Sequence, residues 1–113
     1  MKIVTTKTPI TALEKSAKQM FGNLVKAVVD VEREIMAIDG ELHADEEALL
    51  LEDGSKQKDL WGINIYPQAK GEEWIEFDSM INLRPSSGNL SRGVDDPKIR
   101  EKIVEIVSKL IER

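Results

Sequence analysis

Apolar and polar residues repeat along this chain with two different periods, and each change of period marks an element. Ile10, Leu13, Ala17, Met20 and Phe21 recur at helical spacing, which predicts a first helix over about 9–21. Thr8 is a good N-cap residue and Pro9 suits a first helical position, while Thr11 with Glu14 offers a competing capping box. Gly22-Asn23 tolerates positive φ and ends the helix. From Leu24 to Ile38 the period falls to two. Ala27, Val29, Val31, Ile35 and Ala37 take one face; Val28, Asp30, Glu32, Glu34 and Met36 take the other, with only Arg33 out of step. The valine density predicts one long strand, although Glu32-Arg33-Glu34 supports a competing helix over Lys26–Ile38. Residues 1–7 are β-prone and read as a short strand or extended arm.

Asp39-Gly40 signals a turn, and Asp45 is placed to cap a second helix whose apolar face is Ala48 and Leu49–Leu51. Leu60–Tyr66 alternates as a strand, with Trp61, Ile63 and Ile65 on one face. Trp74–Leu83 alternates as a third strand, with Ile75, Phe77, Ile81 and Leu83 together. These two strands predict an antiparallel hairpin over 60–84 whose apolar face, Phe77 included, is buried. Asp96-Pro97 opens a strongly amphipathic terminal helix over about 96–112, with Ile99, Ile103, Ile106, Val107, Leu110 and Ile111 on its stripe. The order α-β-α-β-β-α predicts a single two-layer α+β domain over 1–113, with about three strands packed on helices. If the terminal stripe does not pack on the chain's own sheet, it covers a second copy, so a homodimer is the alternative home for it.

Composition narrows the function. The chain has 113 residues, enough for one domain with a real core. It has no cysteine, which excludes disulfides, thiolate metal sites, iron–sulfur clusters and cysteine nucleophiles. The N-terminus reads as lacking a signal peptide, and no apolar run approaches the ~20 residues of a membrane span. The expectation is therefore a cytoplasmic protein. A net charge of −5 disfavours nucleic-acid binding, which draws its affinity from Lys and Arg on phosphates.

The chemically versatile residues crowd between Gly40 and Gly93: the only histidine (His43), both tryptophans, the only tyrosine (Tyr66) and three of the four asparagines. In extended backbone Glu41, His43 and Asp45 project to one side, which suits a metal half-site or an acid-oriented general base. The plainer reading is a histidine packed in a turn, with Asp45 as a helix cap. Asn64 and Tyr66 on one strand, and Asn82 and Arg84 on its neighbour, share a polar face if like faces pair, and so outline a small polar pocket. Asn89 stands near the rim of that pocket. His43, Asn64, Tyr66, Asn82, Arg84 and Asn89 are thus the candidate ligand-binding set. The Ser/Gly loop Pro85–Gly93 has the general layout of a phosphate cradle, but it carries no phosphate-loop motif, and Asp95-Asp96 at its end repels anions.

The strings Gly40-Glu41-Leu42-His43-Ala44-Asp45, Leu51-Glu52-Asp53-Gly54-Ser55, Asp59-Leu60-Trp61-Gly62-Ile63-Asn64-Ile65-Tyr66-Pro67 and Ile81-Asn82-Leu83-Arg84-Pro85 resemble the family of small prokaryotic proteins called domain of unknown function 5674. The resemblance spans essentially the whole chain. It implies one compact, soluble, prokaryotic domain and brings no assigned activity, ligand or catalytic residue. The residues themselves favour a binding module for a small polar ligand or a protein partner, with no cofactor implied. The alternative is a small metal-assisted hydrolase that uses His43 with Glu41 or Asp45.

Overall fold

A computed structural model describes residues 1–113. It is an α+β fold with three helices, α1 (Ile10–Gln19), α2 (His43–Glu52) and α3 (Pro97–Leu110). Five antiparallel strands form the main sheet: β1 (Lys2–Val4), β3 (Val25–Asp30), β4 (Ile35–Ile38), β5 (Leu60–Ile65) and β6 (Ile75–Glu76), in the order β1-β4-β3-β5-β6. Two further short strands, β2 (Thr8–Pro9) and β7 (Ile111–Glu112), pair in parallel and clasp the two ends of the chain together. No helix is long and apolar enough to cross a membrane.

The expected count of about three strands is too low, because the expected long strand is a hairpin. Asp30 folds it. This fully buried carboxylate accepts from Glu32 N–H and Arg33 N–H, each at 2.9 Å, and from Ser55 Oγ at 2.6 Å. Those bonds satisfy the turn's backbone, and Glu34 completes the reversal at φ 57°. Glu34 then faces Lys102 and Lys109 of α3 at 3.2 and 3.4 Å. The strands on either side of the turn are almost wholly buried.

The sheet is covered on both faces, so the layers number three rather than two. On one face Ala27, Val29, Met36, Ile38, Trp61 and Ile63 pack against Leu13 and Ala17 of α1 and Ile103, Ile106 and Leu110 of α3. The terminal stripe is therefore buried on its own sheet. On the opposite face Val28, Ile35, Ala37 and Leu60 meet Leu50 of α2. Alternation along β3 and β4 thus separates two cores instead of a core from solvent.

The expected third strand survives only as β6, paired to β5 at Asn64–Glu76 and Ile65–Ile75. Residues 71–74 form a 3-10 turn that sets Trp74 in the core beside Ile75. After Glu76 the chain leaves the sheet, so Phe77 and Ile81 are only half-buried and Leu83 is exposed. Gly62 makes this departure feasible. A Cβ there would lie 2.5 Å from Ser79 Oγ and 2.6 Å from its Cβ, so the 79–82 turn rests directly on β5 backbone. Gly62→Ala is expected to cost about 1–3 kcal/mol through overpacking, read from denaturant unfolding. An unchanged midpoint would contradict that close contact.

Helix starts also differ from expectation. Thr8-Pro9 is engaged as β2, and Pro9 occupies the N-cap position of α1 with no side-chain cap. Leu42 occupies that position for α2, again without a side-chain cap, and Asp45 falls inside the first turn. Only Asp96 caps as expected, accepting from Lys98 N–H at 2.8 Å.

Candidate functional site

Gly62 turns its backbone N–H and C=O away from β3, toward the stretch of β5's outer edge that β6 is too short to reach, and Asn82 meets both. Its Oδ1 accepts from Gly62 N–H at 2.8 Å, while its Nδ2 donates to Gly62 O at 2.9 Å and to Arg92 O at 3.0 Å. A fully buried amide thus replaces a missing strand. Arg84 does the same two residues away: Nη2 donates to Leu60 O, Nε donates to Ile81 O at 3.1 Å, and the guanidinium lies 4.5 Å over the Trp61 ring. Asn89 ties the following loop, donating to Asn82 O, Ser91 O and Gly93 O and accepting from Asp95 N–H. Every polar atom on the side chains of Asn82 and Asn89 is bonded to backbone. These two residues and Arg84 hold the 79–95 segment onto the sheet.

His43 and Asn64 are brought together elsewhere, in a cleft of about 280 Å³ where the first turn of α2 meets the 78–81 turn. Lys26 of β3, opposite Asn64 in register, lines the cleft too, as do Asp78 and Arg92, which pair at 2.8 Å. His43 is buried, and its Nε2 lies 2.7 Å from Ile63 O. A carbonyl can only accept, so Nε2 carries the proton and Nδ1 is left as an acceptor without a protein partner. Burial holds the imidazole pKa below its ordinary value, countered in part by that same hydrogen bond.

Asn64 is 7% exposed. Its Nδ2 donates to Glu76 Oε1 at 2.8 Å and, at 3.4 Å, to Asp78 O. Both partners are acceptors, which fixes the amide's orientation. Its Oδ1 is then closed off from water and faces no donor. Such an atom costs about 1–3 kcal/mol where it stands. Tyr66, half-buried, donates to the same Glu76 Oε1 at 3.0 Å and is tied to Asn64 through that carboxylate. Arg84 and Asn89 instead line a second hollow, of about 360 Å³, beside Trp61 and the start of α3.

Glu41 and Asp45 are both exposed, and no three His, Asp or Glu side chains in the fold converge as a metal-binding group. The acidic residue that the first turn of α2 does bury is Glu46, which capping logic passed over. It is fully buried, and its Oε2 accepts from Gly40 N–H at 3.0 Å. Its Oε1 has no donor, nor has buried Oδ1 of Asp39. Burial raises its pKa to about 9, and the nearby Asp39 charge adds to the rise. Glu46 is therefore neutral over the physiological range. A signal existed in the sequence: Glu46 falls four residues before Leu50, on the helix's buried stripe.

The largest depression, about 750 Å³, is an open groove between α3 and residues 71–77. Its arginines are already engaged: Arg113 donates to Ala69 O and Gly71 O and stacks on Trp74, and Arg100 donates to Val94 O and Asp95 O. No buried polar atom there lacks a partner. Volume favours the groove, but chemistry favours the His43–Asn64 cleft.

A family model described as protein of unknown function (DUF5674) matches residues 2–110, and the chain belongs to that family. No curated protein and no solved structure matches it.

Proposed function

We propose that this protein is a binding module for a small polar ligand, received in the cleft between the first turn of α2 and the 78–81 turn. The observation that carries the reading is Asn64 Oδ1, a buried acceptor with its amide orientation fixed and no donor of its own. Buried polar groups are ordinarily paired, and a ligand N–H or O–H is the missing partner. His43 Nδ1 adds a second acceptor. Leu42 and Met80 on the same lining are 58% and 62% exposed, and they offer apolar contact at the cleft mouth. Arg84 and Asn89 act as the frame of the 79–95 segment, and Asn82 as its anchor. The hydrolytic reading has no comparable support, since the one nitrogen of His43 with a partner is spent on backbone and the carboxylates that reading calls on, Glu41 and Asp45, are exposed.

The test is Asn64→Leu, which keeps the side chain's branched shape and removes its acceptor. Wild type and variant are screened against a library of small polar molecules by ligand-observed NMR. Wild-type hits are expected to weaken at least tenfold in the variant, while unfolding free energy falls by no more than ~2 kcal/mol, because removing the unpaired Oδ1 offsets part of the loss of the Nδ2 bonds to Glu76 and Asp78. Hits that bind the variant undiminished, or an absence of hits, would contradict the reading. A stability loss above ~3 kcal/mol would place Asn64 with Asn82 as a structural residue.

A further inference from the structure

The cleft has two chemically distinct ends. At one, α2 begins without a cap: neither His43 N–H nor Ala44 N–H has an acceptor within the chain, and both residues line the cleft. The positive end of the helix dipole favours an anion there. Lys26 lines the same wall; its ammonium has no carboxylate partner and lies 5.3 Å from the centre of the Phe21 ring, from which a turn of its flexible stem brings it to an anion in the cleft. The other end carries two acceptors with no donor in the chain, Asn64 Oδ1, buried behind the cleft wall, and the neutral His43 Nδ1. The apolar side chains of Leu42 and Met80 stand exposed beside both. A volume of about 280 Å³, roughly nine waters at ~30 Å³ each, is room for a small metabolite.

Resting on the reading of this cleft as a binding site, we propose that it takes a free amino acid with an apolar side chain. The carboxylate sits on the open N–H groups of α2 with Lys26 as its counter-charge. The ammonium donates to Asn64 Oδ1 and His43 Nδ1, and the side chain lies along Leu42 and Met80. Asn64 Oδ1 is shut from water in this conformation, so the amine reaches it with a side-chain shift in the cleft wall. Met80, unbranched and largely exposed, has the freedom to provide that shift.

Calorimetric and NMR titrations of the full chain with L-leucine, L-methionine, glycine, isovalerate (carboxylate alone) and isoamylamine (amine alone) test the assignment. Leucine and methionine are expected to bind at least tenfold tighter than the other three. Asn64→Leu is expected to weaken leucine at least tenfold and Lys26→Gln at least threefold. If isovalerate or isoamylamine matches leucine, the amino-acid assignment is overturned while the cleft remains a binding site. The same holds if library hits reach the cleft and no amino acid does. If neither the library nor this panel perturbs the cleft, the binding reading falls with it. Leucine shifts centred on the groove beside α3 also overturn the assignment.

Discussion

Asn82→Ala is expected to lower the unfolding free energy by about 3–5 kcal/mol, the largest effect of any polar substitution in the chain. The side chain is fully buried and spans two segments that share no strand pairing. Removing it leaves Gly62 N–H and Gly62 O without partners and takes from Arg92 O one of its two donors, Ser79 N–H being the other. Each orphaned backbone group costs about 1–3 kcal/mol, and relaxation or water recovers part of the sum. The 79–82 turn also loses its seat on β5, so the half of β5 beyond β6 becomes an open edge. Denaturant unfolding with hydrogen exchange checks this. Loss of protection at Gly62 is part of the expected result, and a change below ~1 kcal/mol would contradict it.

The second large effect depends on pH. Glu46 holds its proton in the folded state up to about pH 9, whereas in the unfolded chain it releases it near the ordinary glutamate value. Its contribution is therefore fully present below the unfolded pKa and is lost progressively as pH rises toward 9. Asp39, Gly40 N–H, Lys26 and the N-terminus are the groups that act on it. Lys26 and the amino terminus pull toward ionisation but do not outweigh burial. Glu46→Gln keeps a neutral side chain that accepts from Gly40 N–H. The variant is expected to match wild type at pH 4 and to exceed it by about 2–4 kcal/mol at pH 8, since part of the linkage is lost to local relaxation. Comparing the two profiles cancels the opposite contributions of Glu34 and Asp95, whose pKa values are lowered by Lys102 and Lys109 and by Ser91 and Leu90. A constant difference across pH would mean that Glu46 is ionised in the fold.

Helices were the most legible part of the sequence, because an amphipathic period and a terminal glycine or proline are local signals. The ends of α1 and α3 fall within about two residues of where those signals place them. The strands were less legible for two physical reasons. The period-two pattern runs through the reversal between β3 and β4 with no glycine or proline to mark it, because that turn is made by the side chain of Asp30 bonding its own downstream backbone. The stretch 77–83 alternates except at Ser79 and Met80, yet leaves the sheet, because the side chains of Asn82 and Arg84 take the place of ladder hydrogen bonds to Gly62 and Leu60. Nothing local to 77–83 reveals that. For the site, a polar residue in an apolar strand marks a position that needs a partner, and that much was readable at Asn64 and Asn82. The difference between them was not: Asn82 finds all its partners in backbone from distant segments, and Asn64 does not.

The side-chain amide resonances of the asparagines report that difference directly. In a nitrogen-15 NMR titration with the tightest library hit, the Asn64 side-chain amide and the backbone amides of His43 and Ala44 are expected to shift together and saturate. The side-chain amides of Asn82 and Asn89 are expected to stay within a small fraction of that change. Shifts gathered instead at Trp74 and Val104 in the groove beside α3, with Asn64 unmoved at saturation, would contradict the assignment of the site.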